Sequence, residues 1–343
     1  MTLLLTGSDE TVHGILGAMR YVSTAGTTRS FGGPSADLVN AMAKTFESAR
    51  TGLAIGGPLL EEGGVWSTSD QALAELCTLL PDPRSRHEAI VAASLCVLMA
   101  EDFDIAGEQS LVSLSEAFGV DQEAAALIGS LTQKSAEVAG GDMFRRFLAE
   151  RSGESLEVIT TRMDRLEEPL TTEPEALEAY TALLHQAPAG SVGAELIRFY
   201  RHTGYDIPGT PMTPPLEVLG SHDLHHILAG YSTSSNDEVN IAMFTAANCP
   251  DGGLTYLAVV LLQWHHDVQI TPFAPTYSVL DPTDLAEAAT RGATTTFDVS
   301  DLSWDWMGIM HENLGEVRRE LDVTPGGTVP DGGAWDARGL GDG

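Results

Sequence analysis

Residues 213–238 read TPPLEVLGSHDLHHILAGYSTSSNDE, and this stretch predicts two helices joined by a short polar loop. A threonine followed by proline is typical of a helix start, and Gly230 is typical of a helix end. The pattern therefore indicates a first helix over 214–229. Asn236 is a suitable N-cap for a second helix over 237–248, which follows after a loop rich in serine.

The same stretch contains four side chains that could bind a metal ion: His222, Asp223, His226 and Glu238. His222 and His226 are four residues apart, so a helix presents both imidazoles on one face. Glu238, in the first turn of the second helix, can face back toward them. Two imidazoles with carboxylates suit zinc, iron or manganese. His225 points away from this face. The alternative interpretation is that these residues form a polar helix surface that binds no metal.

The spacing H-D-x-x-H-x11-E resembles the signature of the ubiquinone (coenzyme Q) biosynthesis protein 4 family, and the likeness covers residues 155–323. The other stretches that resemble the family are 187–193, 226–231, 304–306 and 313–321. Two features depart from it. The segment 211–221 lacks the arginine-bearing stretch of many members, and about 150 N-terminal residues are foreign to the family. The identity of the substrate is therefore the least transferable inference.

The resemblance implies an all-helical, membrane-associated protein that binds long isoprenoid tails. It implies a divalent metal on His222, His226 and Glu238, with Asp223 as fourth ligand or catalytic base. The leading hypothesis is a metal-dependent lyase or oxidative decarboxylase. It would remove the ring carboxylate of a prenylated or otherwise apolar aromatic molecule, working with other biosynthetic enzymes.

Two other functions remain open. One is a non-catalytic scaffold, in which the same pocket binds an isoprenoid tail and the metal only fixes the helices. The other is a metal phosphohydrolase of the His-Asp class, for which His202 and Asp267 are candidate additional ligands. These functions differ in whether an aromatic carboxylate is converted, an isoprenoid is only bound, or phosphate is released.

The N-terminal half shows leucine and alanine at helical spacing. The helices predicted there are 70–80, 83–99, 108–118 and 122–133. Residues 89–126 resemble the TerB-like tellurite-resistance domains, which are small helical bundles. Asp102, Asp104 and Glu108 could collect a hard cation through their oxygens, or they could simply cap and charge a helix start.

The predicted fold class is all-α, because helical patterns dominate and no stretch shows sustained period-two alternation. We predict a TerB-like helical domain over 1–150 and a metal-binding helical domain over 151–325, which resembles the ubiquinone-biosynthesis family. The final stretch, 326–343, is rich in Gly, Pro and Asp and is predicted to be a disordered tail.

The chain of 343 residues has a net charge of −31, which argues against binding nucleic acid or anionic lipid through charge. Cys77, Cys96 and Cys249 show no paired spacing, and the N-terminus has no basic segment of a signal peptide. Apolar runs are about half of what a bilayer span requires. We therefore expect a cytoplasmic protein with peripheral membrane contact at most, and a homodimer is compatible with this interpretation.

Two further clusters have alternative interpretations. His265 and His266 lie near the end of a predicted helix over 254–270, where they could support the metal site or only complement the helix dipole. Trp304 and Trp306 could line a groove for an apolar tail, or they could belong to the core.

Overall fold

The computed structural model describes residues 7–49, 66–100, 105–120, 141–142, 145–146, 148–149, 154–164, 172–210, 213, 216–249, 253–268, 280–298, 301 and 304–329. Within these residues the secondary structure is helical and no strand occurs, which confirms the predicted all-α class. The first five helices are α1 (Asp9–Ser23), α2 (Gly33–Ala49), α3 (Ser69–Leu79), α4 (Pro83–Leu98) and α5 (Ile105–Phe118). The helix predicted over 122–133 lies outside the described residues.

The remaining helices follow after residue 154. They are α6 (Leu156–Asp164), α7 (Pro174–Gln186), α8 (Val192–Thr203), α9 (Leu216–Ala229), α10 (Ser235–Asn248), α11 (Gly253–Trp264), α12 (Pro282–Thr294), a 3-10 turn (Trp306–Ile309) and α13 (Leu314–Glu320). The helix predicted over 254–270 is shorter than expected. It ends at Trp264 because Asp267 adopts a left-handed backbone conformation (φ 53°), which turns the chain away.

The N-terminal helices form a bundle in which α1 packs along α4 and also contacts α2, α3 and α5. The first turns are capped by side chains, since Ser8, Thr68 and Asp82 each accept a hydrogen bond from a backbone N–H three residues later. At Gly14 the end of α3 approaches α1 so closely that an added Cβ would lie 2.6 Å from Cγ of Leu80.

The two halves of the chain share one core. Helix α2 packs against α12, helix α4 contacts α11, and Nε2 of His266 lies 2.8 Å from the carbonyl oxygen of Leu98. The buried apolar side chains of both halves belong to one continuous cluster. The structure therefore does not confirm a division into two domains near residue 150. None of the helices in the described part of the chain is both long and apolar enough to span a bilayer.

Helix α10 lies at the centre of the C-terminal half, with α11 and α12 packed against it. The approach of α12 is very close at Gly292, where an added Cβ would lie 2.1 Å from the carbonyl oxygen of Phe244. Only glycine fits there, because any side chain would collide with backbone atoms that are fixed by helix geometry. This contact holds the helix that bears Glu238.

Residues 326–329 were predicted to be disordered, but the structure places them against the loop between α9 and α10. The backbone N–H of Val329 donates to the carbonyl oxygen of Gly230 at 2.8 Å, and the Val329 side chain is buried. The hydroxyl of Thr328 donates to Asp237. Composition alone missed this segment because its contacts are tertiary, made with a loop almost 100 residues away. The rest of the predicted tail, 330–343, lies outside the described residues.

Candidate metal centre

Helix α9 presents both histidines of the motif, and its C-terminal end is fixed by arginines from distant elements. Gly230 follows the helix with a left-handed backbone (φ 76°), as predicted. Arg318 donates to the carbonyl oxygens of Ile227 and Leu228 at 2.6 and 2.9 Å. Arg291 donates to that of Ala229 at 2.6 Å. Two cations at this end complement the helix dipole and satisfy carbonyls that have no partner within the helix.

Helix α10 begins at Ser235, two residues earlier than the sequence suggested. Ser234, rather than Asn236, is the N-cap, and its hydroxyl oxygen accepts from the backbone N–H of Asp237 at 3.3 Å. The buried Asp237 carboxylate also accepts from the backbone N–H of Ser232 at 2.9 Å. Serine is as good an N-cap as asparagine, so propensity could not choose between them. Glu238 lies in the first turn, as predicted.

Three of the four predicted ligands meet at one point between α9 and α10. The ligand atoms of His222, His226 and Glu238 all lie within 4.8 Å of one another. Nε2 of His222 is 3.7 Å from Oε2 of Glu238, and Nε2 of His226 is 3.7 Å from Oε1 of the same carboxylate. Each histidine therefore faces its own carboxylate oxygen.

His226 is the buried ligand, with a relative exposure of 1%. The ring of Phe199 stacks on its imidazole at a centroid distance of 5.6 Å. Nδ1 lies 3.3 Å from the carbonyl oxygen of Tyr231, so Nδ1 carries the proton and Nε2 keeps its lone pair toward Glu238. Burial, together with the charge of His222, holds the pKa of His226 well below its usual value. The ring is therefore neutral, as a metal ligand must be.

His222 is the more accessible ligand, since 28% of its side chain is exposed. Burial alone would lower its pKa, but contact with Asp223 and the charges of Glu238 and Asp223 outweigh burial and raise the pKa. Burial also raises the pKa of Glu238 to about 7, against the opposing effect of His222. The raised pKa means that burial destabilises the ionised form of Glu238 more than its neighbours stabilise it. A bound cation would provide the positive charge that stabilises the carboxylate.

The fourth predicted ligand, Asp223, is not part of this group. Its Oδ1 lies 3.5 Å from Nδ1 of His222, on the side of the ring opposite the nitrogen that faces Glu238. Its Oδ2 accepts a hydrogen bond from the hydroxyl of Tyr200 at 3.0 Å, and that hydroxyl lies 3.2 Å from the hydroxyl of Tyr180. Burial and the charge of Asp223 raise the pKa of Tyr200, so Tyr200 is a protonated donor.

The other predicted histidines lie elsewhere. His225 faces the core, where its Nδ1 is 3.5 Å from the Thr245 hydroxyl. Neither His202 nor Asp267, the candidates for a phosphohydrolase site, joins the group of three ligands among the described residues. His265 and His266 pack against each other at 4.8 Å, also outside this group.

Among the described residues, Glu108 is not part of the group of three predicted ligands, and the two tryptophans pack against other aromatic rings. Glu108 lies in the first turn of α5, while Asp102 and Asp104 lie outside the described residues. Trp306 packs edge-on against Tyr180 at 5.6 Å, and Trp304 contacts Phe297. The two tryptophans therefore pack partly buried against the core, as the alternative interpretation held.

Sequence reasoning missed four residues that support the site. The sequence assigned no site role to any of the four: Phe199 and Tyr200 follow the stretch 187–193 that resembles the family, Arg318 lies within 313–321, and Arg291 lies in none of these stretches. Their roles come from packing between helices that are distant in sequence. A tyrosine or arginine on an apolar helix face can be predicted to be buried, but the sequence does not show which residue it will contact.

Comparison with known proteins does not extend these observations. No protein-family model matches the sequence, and no curated protein matches it at a significant level. The resemblance to the ubiquinone biosynthesis protein 4 family and to TerB-like domains therefore rests on the motifs alone. A function based on this resemblance is therefore a proposal.

Proposed function

We propose that this chain is a metal-dependent enzyme that binds one divalent transition metal and acts on an apolar aromatic carboxylate. The observation that carries the proposal is the meeting of His222, His226 and Glu238 from two helices at a largely buried point. Two histidines and one glutamate are a known ligand set of catalytic zinc sites, which leave a coordination position open. Iron and manganese also suit this mixed set of donors.

The spacing of the donor atoms supports this assignment. Bonds of about 2.0–2.1 Å in a tetrahedral site put neighbouring ligand atoms about 3.3 Å apart. The two histidine–carboxylate distances of 3.7 Å are close to this value, and the three atoms lie within 4.8 Å of one another, so the side chains would have to move inward to complete the site. When bound, such a metal would supply a Lewis acid that lowers the pKa of a coordinated oxygen and stabilises developing negative charge.

The protein side chains would orient the reacting groups and limit the access of water. Phe199 covers the face of His226, and the carbonyl of Tyr231 fixes its tautomer. His222 forms the exposed side of the group, so a substrate would approach past this ring. A buried carboxylate and two oriented imidazoles would thus hold the reaction centre rigid, while one side stays open to ligand.

A pocket of about 230 Å³ beside α8 supports an aromatic acid as the ligand class. It combines aromatic and aliphatic walls with basic groups, and its lining residues are His185, Ile197, Tyr200, Arg201, Tyr205, Asp206 and Ile207. None of the three proposed ligands lines this pocket, and Tyr200 connects it only to the back of the site, because its hydroxyl donates to Asp223. An apolar ring would suit these walls, and a carboxylate would suit Arg201.

The resemblance to the ubiquinone biosynthesis protein 4 family supports a more specific version of the proposal. The substrate would be a prenylated or similar aromatic acid of quinone biosynthesis. The ring carboxylate would leave as carbon dioxide with hydroxylation at that carbon, and dioxygen would be the two-electron oxidant, so that the acid, dioxygen and water give the hydroxylated ring, carbon dioxide and hydrogen peroxide. Other enzymes of the pathway would be partners, and the protein would work in the cytoplasm with peripheral contact to a membrane.

The test is turnover by protein loaded separately with zinc, iron or manganese. The probe is 4-hydroxybenzoate with a short prenyl chain, incubated in air, and release of carbon dioxide is measured. We expect metal-dependent release that is lost in His226→Ala and kept in His87→Ala, a matched change at an exposed histidine of α4. Binding of the probe without its conversion would favour the scaffold function, and release of phosphate from a phosphoester would favour the phosphohydrolase.

A further inference from the structure

A chain of buried polar groups runs from the interior of the protein to the back of His222. The hydroxyls of Tyr180 and Tyr200 are 3.2 Å apart, and Tyr200 donates to Oδ2 of Asp223 at 3.0 Å. The second carboxylate oxygen, Oδ1, lies 3.5 Å from Nδ1 of His222. These contacts join three helices, since the two tyrosines lie on α7 and α8 and the other two residues on α9.

The members of this chain are almost fully removed from solvent. Tyr180 is 0% exposed, Tyr200 is 4% exposed and Asp223 is 5% exposed. A carboxylate in such surroundings is costly unless it is hydrogen-bonded. Among the described residues, Tyr200 and His222 are the polar groups in contact with Asp223. Asp223 is therefore held by one tyrosine on one side and faces the imidazole on the other.

This arrangement selects one tautomer of His222. Nδ1 is buried and has no hydrogen-bond partner among the described residues, and Oδ1 of Asp223 is the acceptor closest to it. A small rotation of the ring would close the 3.5 Å separation into a hydrogen bond. With the proton on Nδ1, the lone pair on Nε2 faces Glu238 and the proposed metal position.

We propose that Tyr200, supported by Tyr180, is a positioning residue that holds Asp223 as the hydrogen-bond acceptor of a metal-binding His222. This inference rests on the proposed metal site, and it gives Asp223 a different role from that of a fourth ligand. A ligand would have to reach the Nε2 side of the ring, whereas Oδ2 of Asp223 is hydrogen-bonded to Tyr200 and Oδ1 lies 3.5 Å from Nδ1. The outer-shell carboxylate orients the imidazole and increases its basicity.

The first measurement is metal affinity, obtained by competition with a chromophoric chelator for zinc. Loss of an outer-shell partner typically costs about 10- to 100-fold in affinity. We expect Tyr200→Phe to weaken zinc binding within this range and Tyr180→Phe to weaken it less, because Tyr180 acts only through Tyr200. The matched control is Tyr21→Phe, which removes a buried hydroxyl bonded to Ser69 in the N-terminal bundle. Its affinity should equal that of the wild type.

The second measurement is the tautomer of His222, read from the nitrogen chemical shifts of labelled, metal-free protein at a pH above the raised pKa of His222, where the ring is neutral. The wild type should have its proton on Nδ1, and Tyr200→Phe should show a mixture of tautomers, whereas Tyr21→Phe should not. A merely structural role of Tyr200 would lower thermal stability without changing the tautomer. Because this readout needs no metal, it also separates the two proposals. Wild-type protein that binds no zinc but shows the Nδ1 tautomer would refute the metal site and leave the positioning role intact.

Two results would overturn the inference. One is an unchanged His222 tautomer in a folded Tyr200→Phe protein. The other is unchanged or tighter zinc binding by that variant, as expected if Asp223, once released from Tyr200, binds the metal directly. Asp223→Asn gives an independent check, because an amide can present its NH2 group to Nδ1 and thereby reverse the tautomer.

Discussion

The two halves of this protein bury different kinds of polar groups. In the N-terminal bundle, most of the buried polar side chains are serine and threonine, and apart from Ser35, which donates to the carbonyl of Cys96 on α4, their hydroxyls donate to backbone carbonyls within four residues along the chain. Ser94 donates to the carbonyl of Ile90 at 2.8 Å, and Ser115 donates to that of Leu111 at 3.0 Å. Such hydroxyls form their hydrogen bonds within their own helix, so they need no partner from another element.

The C-terminal half instead buries groups that carry or exchange charge. Those below 9% exposure include Glu195, Asp223, His225, His226, Asp237 and Arg291. Several of their hydrogen bonds come from other elements, such as the bond from Thr328 to Asp237 and the bond from Arg291 to the end of α9. Burying charge costs several kcal/mol per ion unless partners compensate for it. Buried charged groups of this kind are frequent at functional sites, and several of them lie on α9 and α10 beside the proposed metal site.

The largest effect should come from removing a ligand at the buried centre. We expect His226→Ala to weaken zinc binding by more than the roughly 100-fold that loss of an outer-shell partner can cost. Zinc should raise the unfolding temperature of the wild type, because it binds the folded state, and should no longer do so in the variant. His87→Ala in the N-terminal bundle is the control. Equal zinc stabilisation of both variants would remove the functional contrast between the halves.

The next largest effect concerns packing and compares two glycines. At Gly292 an added methyl group would lie 2.1 Å from a backbone oxygen, whereas at Gly14 it would meet the Leu80 side chain at 2.6 Å. A side chain can rotate away but a helix backbone cannot. Overpacking usually costs about 1–3 kcal/mol. We expect Gly292→Ala to lower the free energy of unfolding by about 3 kcal/mol or more, and Gly14→Ala by about 1 kcal/mol, in urea titrations. Equal losses of unfolding free energy would mean that the packing at Gly14 and at Gly292 adjusts to an added methyl group to the same extent.

A smaller effect is expected of pH on zinc affinity, and its sign follows from the direction in which the pKa values of Glu238 and His222 are shifted. Metal binding requires Glu238 without its proton, and burial raises the pKa of this group to about 7. The raised pKa of His222 acts in the same direction. As pH falls through 7, Glu238 takes up a proton that the metal must displace, and the raised pKa of His222 favours a second competing proton. Zinc affinity should therefore fall roughly tenfold or more between pH 8 and pH 6. A carboxylate with an ordinary pKa of about 4.3 would contribute nothing in this interval.

Calorimetry in buffers of different ionisation enthalpy measures these protons directly. More protons should be released per zinc bound at pH 6 than at pH 8. Proton release that does not vary with pH would show that the raised pKa of Glu238 is not a property of the metal-free site.

The smallest effect should be in the N-terminal bundle. Ser94→Ala removes a hydroxyl whose acceptor is a carbonyl inside α4, so no tertiary contact is lost. We expect the free energy of unfolding to change by less than about 0.5 kcal/mol in urea titrations. If the free energy of unfolding fell by several kcal/mol, local hydroxyl hydrogen bonds in the N-terminal bundle would stabilise the protein as much as the tertiary hydrogen bonds in the C-terminal half.

Much of the arrangement around α9 and α10 could be predicted because it depends on local rules. The helical spacing of His222 and His226, the stop at Gly230 and the first-turn position of Glu238 all follow from residues within one or two turns. The position of Asp223 could not be predicted. A residue next to His222 in sequence can point to either side of its ring, and only Tyr200, from another helix, draws the carboxylate to the Nδ1 side.

The order of residues by itself determined the all-helical class and placed the three proposed metal ligands on two neighbouring helices, because hydrophobic periodicity and capping act over a few residues. Only the tertiary structure decided that α2 packs against α12, that residues 326–329 cover the α9–α10 loop, and that buried tyrosines lie behind His222. These contacts join elements that are distant in sequence. They depend on shape and on the need of each buried polar group for a partner, and neither leaves a periodic pattern in the chain.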